Sequence, residues 1–182
     1  MPVRHPTLWL MTDERADLWA AVRRLPPGAG VVFRHHATGA GERRQLFVRL
    51  RRTTRAKRLV LVRAGAFPLP GEMGVHGRPG RGLVTWPAHD RAEALAGARA
   101  GATLLFVSPI FPTRSHPGAP GLGPADAARI GRGLNVALVA LGGMDARRFR
   151  QLRGFQGWAA IDAWNGRSRR NGNAVVPREP LP

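Results

Sequence analysis

Short apolar runs recur along this chain about every twenty residues, and most are followed by a stretch with helical spacing. The runs fall at residues 7–12, 29–33, 59–62, 73–75, 83–86, 103–107, 136–141 and 158–161. They are short and continuously apolar, the pattern of strands buried on both faces of a parallel sheet. Between them, Leu18, Ala21, Val22 and Leu25 mark one helix face over 17–25, and Leu46 and Leu50 face inward from a basic helix over 42–52. Asp90-Arg91-Ala92-Glu93 has the form of a capping box opening a helix to residue 101. Helices are also expected over 125–134 and, capped by Asp145, over 145–152. No helical stretch follows the third or fourth run, where Pro68, Pro70 and Gly71, then Gly77 to Gly82, read as loops. Eight strand units of this kind favour closure into a barrel, so the expected fold class is α/β: a small (β/α)8 TIM barrel with some helices shortened or missing. One domain over residues 7–166 is expected. Residues 167–182 carry too little apolar surface to pack and are expected to form a disordered tail.

No apolar run approaches the roughly 20 residues a membrane helix needs, and Leu8 to Met11 is too short for a signal-peptide core. A cytoplasmic protein with no membrane partner is expected. The absence of cysteine excludes disulfides, thiolate nucleophiles and Cys-ligated zinc. The formal charge is +18, from 29 basic and 11 acidic residues, and Lys57 is the only lysine. Such a surplus fits a polyanion binder or a genome whose codons favour arginine. The arginines run from Arg4 to Arg178 without the interleaved aromatics of a single-strand platform, which favours codon usage and weighs against a nucleic-acid partner.

The sixth run opens into a long loop, Ser108 to Gly123, dense in Pro, Gly and hydroxyl residues. A loop between a buried strand and a helix is where α/β barrels place their chemistry. His116 in it is a candidate general acid or base, since a loop imidazole titrates near neutral pH. Arg34 ends the second strand and reads as a ligand contact, whereas His35 should point away from the barrel axis by alternation. Gly142 and Gly143, between a buried strand and a capped helix, form a candidate anion-binding turn. His76, His89 and His116 lack carboxylate partners and close spacing, so structural or surface roles are expected for His76 and His89 and no metal site is assigned. Trp86 and Trp158 read as core.

Taken together, Leu8-Trp9-Leu10-Met11-Thr12-Asp13, Val31 to His36, Gly74-Val75-His76, Ser108-Pro-Ile-Phe-Pro-Thr-Arg-Ser-His-Pro-Gly118 with Leu122-Gly123, and Ala140-Leu-Gly-Gly-Met144 resemble the thiamine phosphate synthase and TenI-like thiazole tautomerase superfamily. The resemblance implies a (β/α)8 barrel of thiamine biosynthesis that binds a phosphorylated pyrimidine or thiazole precursor at its C-terminal mouth. It places Arg34 at the pyrophosphate-binding arginine, puts His36 and His116 where lysines are usual, aligns Thr113 and Ser115 with hydroxyls of the sixth loop, and aligns Gly142 and Gly143 with the phosphate-binding glycine pair. A small-molecule precursor is the implied partner, and a homodimer is compatible with it.

Certain positions depart from that pattern. The synthase holds Mg2+ with an Asn-Asp pair after the third strand and an Asp after the fourth, where this chain has Arg63-Ala64-Gly65 and Gly77-Arg78-Pro79-Gly80. No cofactor is therefore assigned, with Mg2+ expected only if synthase activity is retained. Asp162 and Ala163 replace the serines of the eighth loop, and phosphate binding there requires the Asp162 carboxylate to turn away. Three readings remain open: a synthase transferase, a metal-independent tautomerase-type isomerase, and a noncatalytic precursor binder or Arg-rich polyanion binder.

Overall fold

A computed structural model describes residues 5–113 and 120–164. Eight parallel strands close into a barrel in chain order: β1 (Leu8–Met11), β2 (Gly30–Phe33), β3 (Val60–Ala64), β4 (Gly74–His76), β5 (Leu83–Ala88), β6 (Leu104–Val107), β7 (Ala137–Ala140) and β8 (Gly157–Ala160). The ring closes through β8 on β1, with Leu8 opposite Trp158 and Leu10 opposite Ala160. The expected small TIM barrel is the observed fold.

Alternation along each strand divides the apolar residues between two environments. One set fills the barrel lumen: Trp9, Met11, Val32, Val62, Leu104, Phe106, Val139 and Ala159. Trp9 and Phe106 meet edge to face with ring centroids 5.2 Å apart. The indole fits because its register partner is Gly30, where a Cβ would stand 2.2 Å from Trp9 Cε3. Strands β1 to β3 turn their other face to helices α1 (Leu18–Arg24) and α2 (Ala40–Ala56), and strands β5 to β8 turn theirs to α3 (Arg91–Arg99), α4 (Pro124–Ile130) and α5 (Ala146–Phe149).

The helix inventory follows the sequence. No helix follows β3 or β4; α4 has 7 residues and α5 has 4. Asp17, Asp90 and Asp145 cap α1, α3 and α5 by accepting from backbone amides, and Glu93 reaches back to the His89 amide at 2.8 Å. Among the described residues a 3-10 turn, Asp162–Trp164, follows β8 and meets the β8–β1 seam through Trp164. Trp164 stacks on Trp158 at 5.1 Å, donates to Trp9 O at 2.9 Å and accepts from Arg24 at 3.1 Å. The tail expected over 167–182 lies outside the described residues.

Candidate functional site at the barrel mouth

The C-terminal strand ends bring Thr12, Asp13, Arg34, His36, His76, Ser108 and the Gly142-Gly143 turn to one end of the barrel. The same alternation that turns Val32 inward turns Arg34 inward at the rim, where it is half-buried. Its guanidinium is held from one side: Nε donates to Thr12 O at 2.9 Å and Nη2 lies 3.6 Å from Asp13 Oδ2. Burial lowers the Arg34 pKa from its ordinary value, with Asp13 opposing the shift; the group stays charged at neutral pH. Asp13 is gripped in turn by a bidentate pair with Arg15, at 2.8 and 2.7 Å. Chiefly through hydrogen bonding from Arg15, its carboxyl is held down at about 2.

Behind Arg34 lies a buried network. Thr12 Oγ1 accepts from the Arg34 amide at 2.9 Å and pairs with His35 Nδ1 at 3.0 Å. His35 points away from the axis, as alternation requires, and stacks on Phe33 at 4.7 Å with planes 11° apart. Arg43, on α2, lies over the Phe33 ring at 5.1 Å from its centroid. It donates to His35 O at 2.9 Å and Ala64 O at 2.6 Å, joining the ends of β2 and β3. A buried arginine in a helix is acceptable here because its donors satisfy carbonyls that the strand ladder leaves unused.

His76 is the residue that the sequence had assigned a structural role. Gly74 and His76 share a face of β4, so the imidazole turns into the lumen, 5.4 Å from the Phe106 ring and edge-on to it. The Thr85 hydroxyl lies 3.4 Å from Val75 O and is hydrogen-bonded with His76 Nδ1 at 2.9 Å, which ties the imidazole to β5. Burial first, then the positive field of Arg34 and His36, lowers its pKa to about 4. His76 is therefore neutral at pH 7, a hydrogen-bonding group rather than a charge. The signal in the sequence was its place two residues beyond an inward glycine at a strand end.

Other expected residues are less convergent. His36 is exposed, with a pKa lowered chiefly by desolvation. Gly142 and Gly143 adopt φ of 90° and 62°, and a Cβ on Gly142 would stand 2.7 Å from Pro109 Cα. The pair is glycine because the turn passes tightly against the sixth loop: Ile110 and Phe111 donate to Leu141 O and Gly142 O at 2.8 and 3.2 Å. Arg148 donates to Gly143 O and lies over the Phe111 ring at 5.0 Å. Among the described residues no hydrogen bond engages the Gly142 and Gly143 amides. Thr113 is the last residue described before the interruption, and it has a bonding partner. Ser115 and His116 lie outside the described residues. Asp162 is exposed; the Arg15 pKa is raised chiefly by its hydrogen bond and charge pairing with Asp13, with Asp162 adding to the same direction.

The donor set does not fit the Mg2+ site of the superfamily. Among the described residues no three His, Cys, Asp or Glu side chains gather as ligands. The nearby carboxylates are already engaged: Asp13 by Arg15 and Arg34; Glu14 by the Ala37 and Thr38 amides at 2.8 and 2.9 Å; and Glu72 by Arg63. Arg78, after β4, donates to Ala66 O at 2.5 Å and so ties two rim loops together where an acid was expected of a relative. His89 pairs with Glu93 at 2.7 Å on the surface and takes no part in the mouth. Concavities of about 390 Å³ beside Arg91 and Arg129, and about 340 Å³ at the opposite end of the barrel near Pro6 and Pro27, receive no C-terminal strand end.

Comparison with known proteins agrees with this architecture. The family described as thiamine monophosphate synthase matches residues 77–164, from the loop after β4 to the end of the described chain. No curated protein sequence matches. Among solved structures, a thiamine phosphate pyrophosphorylase from Pyrococcus furiosus has a TM-score of 0.76 at 20% identity, covering 88% of each chain. FabK from Thermotoga maritima reaches 0.65 at 17% identity, over 88% of this chain and 59% of the other. The YdjI aldolase from Escherichia coli K12 reaches 0.58 at 12% identity, over 86% and 75%. The structural likenesses establish the barrel. The second half of the barrel, residues 77–164, is similar to the thiamine monophosphate synthase family.

Proposed function

We propose that this protein binds a phosphorylated pyrimidine or thiazole precursor of thiamine at the C-terminal mouth of its barrel. The observation that carries the reading is the pairing, across one lumen, of a fixed guanidinium at Arg34 with a neutral imidazole at His76. Arg34 supplies charge for a phosphate, and the neutral imidazole of His76 offers a hydrogen-bonding group to a polar heteroaromatic ring. The Gly142 and Gly143 amides add donors for an anion on the β7 side. Calorimetric titration with thiazole phosphate carboxylate and with hydroxymethylpyrimidine pyrophosphate tests it. Binding of one of them, weakened at least tenfold by Arg34→Ala, is the expected result; no binding of either overturns the proposal.

Between transfer and isomerisation, the engaged carboxylates favour the metal-independent isomerase. Asp13 and Glu72 have to abandon arginine partners before either meets a cation, a cost not repaid by a partial ligand set. His116 is then the residue to test as the proton carrier, through His116→Ala. Proton NMR separates the reactions, since isomerisation rearranges ring protons with phosphate retained whereas transfer releases pyrophosphate. Ligand binding without turnover identifies a noncatalytic precursor binder.

A further inference from the structure

The arginines that are scattered along the sequence are gathered by the fold. Arg23 and Arg24 on α1 and Arg44, Arg49, Arg52 and Arg55 on α2 are all exposed on one flank of the barrel. The acids on these two helices and their caps are Asp17, which caps α1, and Glu42. Among the described residues no ion pair involves α1 or α2. On α4, by contrast, Arg129 pairs with Asp126 at 2.5 Å. Neighbouring like charges such as Arg52 and Arg55 destabilise a helix by about 0.2–0.5 kcal/mol per pair. Codon usage that replaces lysine with arginine leaves charge unchanged, so it accounts for neither the deficit of acids nor their absence from this flank.

We propose that the α1–α2 flank binds the phosphate backbone of a double-stranded nucleic acid, independently of the barrel mouth. Arg44 and Arg55 lie about 16 Å apart along α2, from a helical rise of 1.5 Å per residue, so the helix presents its charges as a row. A row of guanidiniums suits the regularly spaced phosphates of a duplex. A single-stranded partner requires open aromatic platforms; among the described residues of α1 and α2, Phe47 is buried and Trp19 is covered by Arg49 at 5.1 Å. A lipid surface requires apolar side chains to insert, and the large apolar side chains that stand exposed, Phe67 and Met73, belong to the loop after β3.

Fluorescence anisotropy of the full chain with labelled 20-base-pair DNA and RNA duplexes, over a salt series, tests this. Binding with a log–log salt slope of about −4 to −5, corresponding to about five phosphates, is expected. Binding of either duplex supports the proposal, and the tighter one identifies the form. The triple variant Arg44→Glu, Arg52→Glu, Arg55→Glu should flatten the slope by about 3. The control Arg132→Glu, Arg147→Glu, Arg150→Glu makes the same change of charge on the α4–α5 side and should leave the slope unchanged. Circular dichroism verifies that both variants fold. Equal loss in the two variants, no duplex binding at 50 mM salt, or tighter binding to phosphatidylserine vesicles overturns the proposal.

Discussion

Thr12 makes three contacts from a single buried position: its hydroxyl meets the Arg34 amide and the His35 ring, and its carbonyl accepts from Arg34 Nε. Thr12→Val keeps the shape but leaves a buried N–H and an imidazole without a partner, each costing about 1–3 kcal/mol. A drop of several degrees in melting temperature is expected, together with a roughly tenfold loss of phosphate-ligand affinity by calorimetry; Thr12→Ser should restore affinity if the hydroxyl aims Arg34. His76 makes a separate prediction about pH. Its folded pKa, about 4, is below the ordinary histidine value of 6.5, so protonation favours the unfolded chain. Stability from the neutral form is complete above pH 6.5 and is lost progressively as pH falls toward 4. Burial lowers His35 and His36 in the same direction, so the measurement is the difference between parent and His76→Gln in urea-unfolding free energy over that window. The variant should lose less stability on acidification, by on the order of 1–3 kcal/mol. An equal loss removes His76 from the account. Asp13 acts at lower pH, between its ordinary value of 3.8 and about 2.

The elements of the barrel were legible because each is short and its character is local. The eight apolar runs mark all eight strands, and the Pro- and Gly-bearing loops foretell the missing helices after β3 and β4. The run ending at Trp86 is the instructive exception: β5 continues through Pro87 to Ala88, with Pro87 in register with Phe106. Proline ordinarily punctuates a strand because it lacks a donor, and neighbouring ladder bonds outweighed that here. Arg43 was illegible for a different reason. Its acceptors are carbonyls on two strand ends, and only the closed barrel brings those to one helix. The β7 turn supplies a prediction on this scale. Gly142→Ala forces a side chain into a positive φ, at about 1–2 kcal/mol, and sets its Cβ 2.7 Å from the backbone of Pro109. The sixth loop has to move with it. A loss of 2–4 kcal/mol in chemical denaturation is expected, as a backbone conflict relaxes less readily than a side-chain one.

Charge belongs to the whole molecule. Twenty-nine basic residues cannot all find a carboxylate among 11 acidic ones, and among the described residues α1 and α2 form no ion pair. Like charges on an exposed surface repel across distances comparable with the Debye length, about 10 Å at 0.1 M salt, so added salt relieves the folded state more than the expanded unfolded chain. Stability should therefore rise between 20 and 200 mM sodium chloride, by on the order of 1 kcal/mol, the scale of a few exposed pairs at 0.2–0.5 kcal/mol each. Urea is the denaturant to use, since guanidinium would itself supply the salt. Most of the gain should vanish in the triple charge-reversal variant of α2, which removes the excess positive charge of the flank and sets carboxylates at positions 52 and 55 beside Arg49 and Arg51. A fall in parent stability with salt shows instead that the attractive pairs, Arg63 with Glu72 and Arg15 with Asp13, dominate the electrostatics of the fold.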